Sequence, residues 1–280
     1  MKHFTWVLAV GALGTVSGLM SAQVCAAERN DVPSCRQYAS IPDEAPSRTV
    51  FVLMDRTTVL DQKLSGDAVL RVKRTLSSGE RVVVVAFSSF QAEQYTEVVF
   101  DGRLDRPLKS DERYVLPKRD VGRYEHCVSK QQEYFENAVS SAMDKVLAVP
   151  ITSARNSDLV GSLSQISREL IGAEPAKSKT VLLISDLLEH SSVTSFYAQQ
   201  KLRLIDPTAE FKKFKALDLI GTFDDANIFV LGAALLPGEE SSYRGQEKLM
   251  ALKMFWTQYF DASNAHLAAW GQPALLVDLY

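Results

Sequence analysis

The residues Thr49-Val-Phe-Val-Leu-Met54 form an unbroken apolar run that stops at Asp55. A strand with one solvated face alternates apolar and polar residues, whereas a strand buried on both faces is apolar throughout. Residues 81–87, 180–184 and 227–231 have the same apolar, largely β-branched or leucine-rich composition. The sequence therefore predicts four buried strands at the centre of a parallel sheet.

Helical patterns separate these apolar runs. Residues 64–76 carry apolar side chains at positions 64, 68, 69, 72 and 76, which is the spacing of one helix face. Helices are also predicted at 124–148, 159–171, 209–219 and 247–260. Strands that alternate with helices are typical of an α/β protein. We expect a three-layer, doubly wound, mostly parallel sheet with helices on both faces.

Weaker signals complete the outline of the chain. Residues 96–100 predict a short strand that ends in a tight turn at Asp101-Gly102, and residues 274–279 predict the last strand. Residues 28–47 mix prolines with polar side chains and should form an irregular arm. With no repeat or low-complexity tract in the remainder, we expect one domain over residues 48–280.

The amino terminus has the composition of an export signal. Lys2 precedes residues 4–27, which contain no charged side chain, and Glu28 is the first acid. A positive start, an apolar stretch and small residues before the cut are the parts of a secretory signal. We assign residues 1–27 to a signal peptide and expect a periplasmic or secreted protein. The alternative is a retained inner-membrane anchor facing the periplasm, because about 20 apolar residues span a bilayer.

The cysteines agree with export. Cys25 lies in the signal, so the mature chain keeps Cys35 and Cys127. Two cysteines in an oxidising compartment are more often paired than free, and we expect a disulfide between them. The alternative is two unrelated buried thiols.

Composition and charge exclude some classes of function. The chain of 280 residues is 46% hydrophobic and 23% charged, with a net charge of −3. These are ordinary values for a globular protein, and acids and bases are mixed along the chain. Residues 103–123 are locally rich in charge, but they carry both signs and two prolines, which is typical of an exposed loop. Nothing here indicates a nucleic acid as a partner.

Polar residues cluster where the predicted strands end. Asp55-Arg-Thr-Thr58 follows the first strand, Ser185-Asp186 follows the third buried strand, and Asn156-Ser-Asp158 introduces a helix. In open α/β sheets, ligands bind beyond the carboxyl ends of the strands. Carboxylates and hydroxyls that converge from three loops form a hard-oxygen site, which suits Mg²⁺ or Mn²⁺.

These residues resemble the von Willebrand factor A family. Its metal-ion-dependent adhesion site has Asp-x-Ser-x-Ser after the first strand, a Thr from a middle loop and an Asp after the fourth strand. Asp55 and Thr57 match the first two positions, and Val59 stands where the second Ser belongs. Ser157-Asp-Leu-Val-Gly-Ser-Leu163 resembles the Thr segment, with Ser157 in place of the Thr, and Asp186 matches the last acid.

The resemblance implies a divalent-cation site at Asp55, Thr57, Ser157 and Asp186 that is incomplete at Val59. In this family the open coordination position takes a carboxylate from a binding partner. The implied function is an interaction or scaffold module, not an enzyme, whose partner is another envelope or secreted protein. Contact with a membrane is expected only if the amino-terminal segment is retained.

A second class of function also fits the first motif. Asp55-Arg-Thr-Thr-Val-Leu60 resembles the nucleophile motif of haloacid-dehalogenase-like phosphatases, in which the Asp attacks phosphorus. Asp224 and Asp225 then stand for the acidic metal pair. They precede the strand at 227–231, so we expect them at the opposite edge of the sheet from Asp55.

Overall fold

The computed structural model describes residues 29–90, 93–151, 157–198, 201–235 and 245–280. Six strands form one sheet, and two short strands, β5 (Tyr197–Ala198) and β6 (Lys201–Leu202), pair separately. The six are β1 (Arg48–Asp55), β2 (Arg81–Phe90), β3 (Glu93–Arg103), β4 (Ser178–Ile184), β7 (Ala226–Leu231) and β8 (Ala265–Trp270). Their order is β3-β2-β1-β4-β7-β8, and every neighbouring pair is parallel except β2 with β3.

The described residues form six α-helices, of which three begin at an aspartate cap. They are α1 (Gln62–Thr75), α2 (Ser110–Val115), α3 (Lys118–Leu147), α4 (Leu159–Ile166), α5 (Pro207–Ala216) and α6 (Gln246–Ala262). The carboxylates of Asp61, Asp158 and Asp206 accept backbone N–H groups at the starts of α1, α4 and α5. Across these described residues, no helix combines the length and apolar character that a bilayer span requires. The predicted signal at 1–27 lies outside the described residues.

Helices cover both faces of the sheet. Alternate side chains of β1 point to opposite faces, so that Val52 packs with α1 and α3 while Leu53 packs with α4 and α6. The strands are buried on both faces for this reason, which confirms the three-layer α/β fold expected from their unbroken apolar runs.

The aromatic face of α6 belongs to the core. Phe255, Trp256, Tyr259 and Phe260 are fully buried, and the Trp256 indole N–H donates to the carbonyl of Leu187 at 2.9 Å. The spacing of four between pairs of these residues predicts a face turned toward the sheet, and that prediction is confirmed. The indole bond also ties α6 to the loop after β4.

Three sequence predictions are wrong. The last strand is β8, and residues 274–279 fold back over the face that carries α1, where Leu275 and Leu279 are buried. Asp101 and Gly102 lie inside β3 and form no turn. The charged segment at 103–123 is largely helical, because α2 and the first turn of α3 fall within it.

The arm before β1 is attached to α3 by a disulfide and to the edge of the sheet by hydrogen bonds. Cys35 and Cys127 form a disulfide with a Cα–Cα distance of 5.7 Å. Beside it, the buried carboxylate of Asp105 accepts the Cys35 N–H at 2.6 Å and the Gln131 side-chain amide at 2.9 Å. Asp31 pairs with the outer edge of β3 through the backbone of Asp101. The arm therefore shields an otherwise open strand edge.

Candidate metal centre

The four candidate ligands come from three loops at the carboxyl ends of the strands. Asp55 is the last residue of β1, and Asp186 lies two residues after β4. Because β1 and β4 are parallel neighbours with Met54 opposite Ile184, their loops leave the sheet side by side. Ser157 reaches the same edge from the segment that precedes α4. The structure brings these loops together as the sequence predicts.

The Asp55 carboxylate is the centre of the cluster. Its Oδ1 accepts the Thr57 N–H at 2.8 Å and the Thr57 hydroxyl at 2.6 Å. Its Oδ2 accepts the Ser185 hydroxyl at 2.8 Å and the Thr58 hydroxyl at 3.1 Å. Four donors fix the carboxylate and occupy its lone pairs. The main role of Asp55 in the cluster is therefore to orient hydroxyl groups, because its lone pairs are already used and it has little left to offer a metal ion.

Two hydroxyl oxygens lie at a spacing suited to one cation. Thr57 Oγ1 and Ser157 Oγ are 3.3 Å apart. Because Thr57 donates its proton to Asp55, Ser157 is the donor in this contact, which leaves one lone pair on the Thr57 oxygen and two on the Ser157 oxygen. Adjacent ligands in an octahedral Mg²⁺ shell with bonds of 2.0–2.1 Å lie about 3 Å apart. The donor set and this spacing fit a small, hard divalent cation.

Asp186 faces the same cluster through other groups. Its Oδ1 accepts the Leu188 N–H at 2.9 Å, and its Oδ2 accepts the Tyr197 hydroxyl at 3.3 Å. Its backbone N–H donates to Thr58 Oγ1 at 2.9 Å, so that Thr58 bridges the loops of the two acids. Compared with Asp55, Asp186 keeps more lone pairs available for a ligand.

The two buried acids, Asp55 and Asp186, are easier to ionise when a positive charge lies close to them. Burial raises the pKa of Asp55, although the hydrogen bonds that its carboxylate accepts from hydroxyl and N–H groups partly lower it. Burial, together with the negative charge of Asp55, raises the pKa of Asp186 to about 8. The donors to both groups are hydroxyls and backbone N–H groups, which do not neutralise a carboxylate charge. A divalent cation at this place would stabilise both ionised forms.

Ser157 is held by the loop that carries Asp186. The backbones of Ser157 and His190 exchange two hydrogen bonds, of 2.7 and 2.9 Å. Glu189 is buried beside them, and its Oε2 accepts the Val160 N–H in the first turn of α4 at 3.0 Å. These contacts fix the position of one candidate ligand relative to another. Asn156, which precedes Ser157, lies outside the described residues.

Thr58 and Tyr197 join the cluster in ways that the sequence pattern does not predict. From strand alternation we expect Thr58 to point to the opposite face, but the Thr58 N–H bonds back to the Asp55 carbonyl and the chain turns after β1. That turn brings the Thr58 hydroxyl onto Asp55, while Val59 is 40% exposed beside it. Tyr197 reaches Asp186 from the short hairpin β5–β6, and no local sequence pattern marks it.

The acidic pair at 224–225 takes no part in this cluster. Both residues precede β7 and so lie at the amino edge of the sheet, as expected from their place in the sequence. Asp224 forms an ion pair with Lys179 at the start of β4, and Asp225 contacts His266 at 2.8 Å. Within the described ranges, no three His, Cys, Asp or Glu side chains group as a metal site. A cation here therefore depends on hydroxyls and water as well as on carboxylates.

Comparisons with known proteins find only distant structural similarity. No family model matches the sequence, and no curated protein matches it. An aerotolerance-related membrane protein from Bacteroides fragilis is similar over 80% of this chain and 92% of its own, at 11% identity and a TM-score of 0.37. The pilus adhesin SpaC from Lactobacillus rhamnosus GG covers 76% of this chain and 27% of its own, at 13% identity and a TM-score of 0.37. Similarity at this level carries no argument about function.

Proposed function

We propose that this protein is an exported interaction module that docks another envelope or secreted protein through a divalent cation. Thr57, Ser157 and Asp186 would hold Mg²⁺ or Mn²⁺, with Asp55 fixing the hydroxyls and water completing the shell. When bound, the cation supplies an electrophilic position for a carboxylate of the partner. The proposal rests on one observation above others, the 3.3 Å contact between the Thr57 and Ser157 hydroxyl oxygens beside the buried Asp55 in a cluster that also holds the buried Asp186.

The arrangement favours binding over nucleophilic chemistry. A carboxylate that attacks phosphorus needs an accessible lone pair, and the four donors to Asp55 occupy its oxygens. The acidic pair that a dehalogenase-like phosphatase requires lies at the other edge of the sheet, engaged with Lys179 and His266. A generic phosphatase assay on the same sample checks this alternative, and we expect no turnover.

Calorimetric titration of Mn²⁺ and Mg²⁺ tests the cation site. We expect saturable binding to the wild-type protein and none to Asp55→Ala or Asp186→Ala, because each removes one of the two buried carboxyl groups whose ionised forms would stabilise the ion. Asp206→Ala is the control, since it also removes an aspartate that accepts backbone N–H groups, but at the start of α5 and outside this cluster. Absence of a saturable signal at millimolar metal contradicts the proposal, as does an equal loss in the Asp206→Ala control.

A pair of substitutions at Thr57 separates ligation from folding. Thr57→Ser keeps the hydroxyl and should bind Mn²⁺ like the wild type, whereas Thr57→Val keeps the shape and loses a ligand. We expect Thr57→Val to weaken binding by roughly tenfold or more, equivalent to about 1.4 kcal/mol. Thermal melts in EDTA show whether either variant has lost its fold. Equal affinity in the two variants would remove Thr57 from the ligand set.

Site-specific photo-crosslinking tests the docking itself. Val59 is exposed beside the cluster, so a photoreactive residue there should crosslink to a bound partner in the cell envelope. We expect the crosslinked product to disappear in the Asp186→Ala background and with EDTA. Leu70, equally exposed on α1, is the control position and should give no metal-dependent product. A product at Val59 that is indifferent to metal would leave a cation-independent scaffold.

A further inference from the structure

A second surface, at the start of α3, combines exposed apolar and basic side chains. Tyr114 and Val115 end α2 and are 91% and 81% exposed. The helix that presents them is anchored, because Glu112 accepts the Lys109 N–H at 2.8 Å and pairs with Arg106 at 2.8 Å. Two large apolar side chains are therefore held in water by a fixed backbone, which costs hydration free energy unless something covers them.

Three basic side chains follow this apolar pair in the first turns of α3. Lys118, Arg119 and Arg123 are exposed, and none forms an ion pair with another described residue. Arg119 and Arg123 are four residues apart and so share one face of α3. We call Tyr114, Val115, Lys118, Arg119 and Arg123 the basic corner.

The other charges near the basic corner are largely neutralised. Lys109 pairs with Glu44, and Arg113 pairs with Glu125 at 2.9 Å. Asp120 lies in the first turn of α3, where the positive end of the helix dipole offsets its charge. Asp111 is the remaining exposed acid. The free charge of the corner is therefore positive.

We propose that the basic corner docks on an anionic lipid surface. An exposed tyrosine and valine suit the boundary between headgroups and acyl chains, where amphipathic rings and short apolar side chains insert. Each Lys or Arg near an anionic bilayer adds about 1 kcal/mol of attraction. The combination of exposed apolar side chains with neighbouring basic ones thus fits an anionic bilayer better than a neutral one.

A second copy of the chain fits this surface less well. In a two-fold dimer the same patch meets itself, so the Arg119 and Arg123 side chains of both copies would be brought together. Juxtaposed like charges oppose such a contact. Headgroup phosphates instead offer the opposite charge to each of these basic side chains.

The fold places the basic corner far from the candidate metal centre. α3 contains 30 residues, which corresponds to about 45 Å of helix. The corner lies at its amino end, and beyond its carboxyl end the Ile151 N–H donates to the carbonyl of Arg56, the neighbour of Asp55. A protein seated on a bilayer by the corner would hold the candidate metal centre away from the lipid. This inference does not depend on cation binding.

A local fluorescence measurement tests the docking, using the full chain as recovered from the cell envelope. An environment-sensitive fluorophore is placed on Val115→Cys in a Cys25→Ser background, where the oxidised Cys35 and Cys127 do not react. With phosphatidylglycerol vesicles we expect a blue shift and at least a twofold rise in emission. Phosphatidylcholine vesicles should give little change. Arg119→Gln with Arg123→Gln, or raised salt, should weaken the response several-fold.

The control label is at Leu276→Cys, because Leu276 is also 91% exposed but lies in the carboxyl-terminal segment. The readout is local, so lipid binding by the amino-terminal segment alone does not produce the expected difference between the two labels. An unchanged label at 115, or equal shifts at 115 and 276, overturns the proposal. A shift without vesicles that grows with protein concentration also overturns it and points to self-association.

Discussion

Replacing both Cys35 and Cys127 with alanine is expected to lower the free energy of unfolding by about 4 kcal/mol, because the bridge closes a long loop in the unfolded chain. The two cysteines are 92 residues apart, and the closed loop contains β1, α1, β2 and β3. Equilibrium unfolding in urea measures the difference. We expect the sheet to persist in the variant, since neither cysteine belongs to the two large core clusters that cover the faces of the sheet.

Comparison of oxidised and reduced wild-type protein is the control for this prediction. Cys35 is fully buried, so the alanine variant also loses packing, whereas reduction breaks only the bond. The two measurements should agree within about 1 kcal/mol, a typical cost of removing a small buried group. The Asp105 contacts with Cys35 and Gln131 keep the arm near α3 in either case. Equal stability of the oxidised and reduced proteins would contradict the account.

The central strands could be predicted from the sequence, whereas the edge strand β8 could not. A strand buried on both faces requires apolar side chains at every position, and β1, β4 and β7 show this directly. β8 lies at the edge, and most of its side chains are only half-buried, so its Ala-His-Leu-Ala-Ala-Trp sequence gives no clear pattern. In the apolar stretch at 274–279 only Leu275 and Leu279 are buried, and they pack on the core without pairing as a strand.

The same limit applies to the candidate metal centre. Asp55, Thr57, Ser157 and Asp186 could be predicted because parallel strands deliver their loops to one edge. The position of Thr58 could not, since it depends on a turn that begins at Asp55 and ends strand alternation. Tyr197 belongs to a hairpin whose placement depends on tertiary contacts, including its own contact with His190. Sequence patterns locate elements, whereas loop geometry decides which polar atoms meet.

Glu189→Gln is expected to make the protein more stable at alkaline pH and to remove part of its pH dependence. Glu189 is fully buried, and its Oε1 has no hydrogen-bond partner among the described residues. Burial raises the pKa of Glu189 from 4.5 to about 8. Between those values the folded state holds one more proton than the unfolded state, so the free energy of unfolding falls as pH rises.

The size of the stability difference follows from the difference between the two pKa values of Glu189. At 1.36 kcal/mol per pKa unit, the gap between Glu189→Gln and the wild type should grow by roughly 4 kcal/mol between pH 4.5 and 8.5. The amide keeps an acceptor for the Val160 N–H and, like the protonated acid, has no charge to bury. Urea unfolding in EDTA across this range measures the gap, with EDTA removing any contribution from bound cations.

Glu210→Gln is the control, because the fold lowers the pKa of Glu210 whereas it raises that of Glu189. Contacts of Glu210 with Lys213 and Arg203 lower its pKa despite the opposing effect of burial. Its stabilising contribution is therefore present above the unfolded value and lost as pH falls. Glu210→Gln should be less stable than the wild type at neutral pH, with the gap closing in acid. If the free energies of unfolding of Glu189→Gln and the wild type change in parallel across this pH range, Glu189 ionises in the folded protein as it does in the unfolded chain.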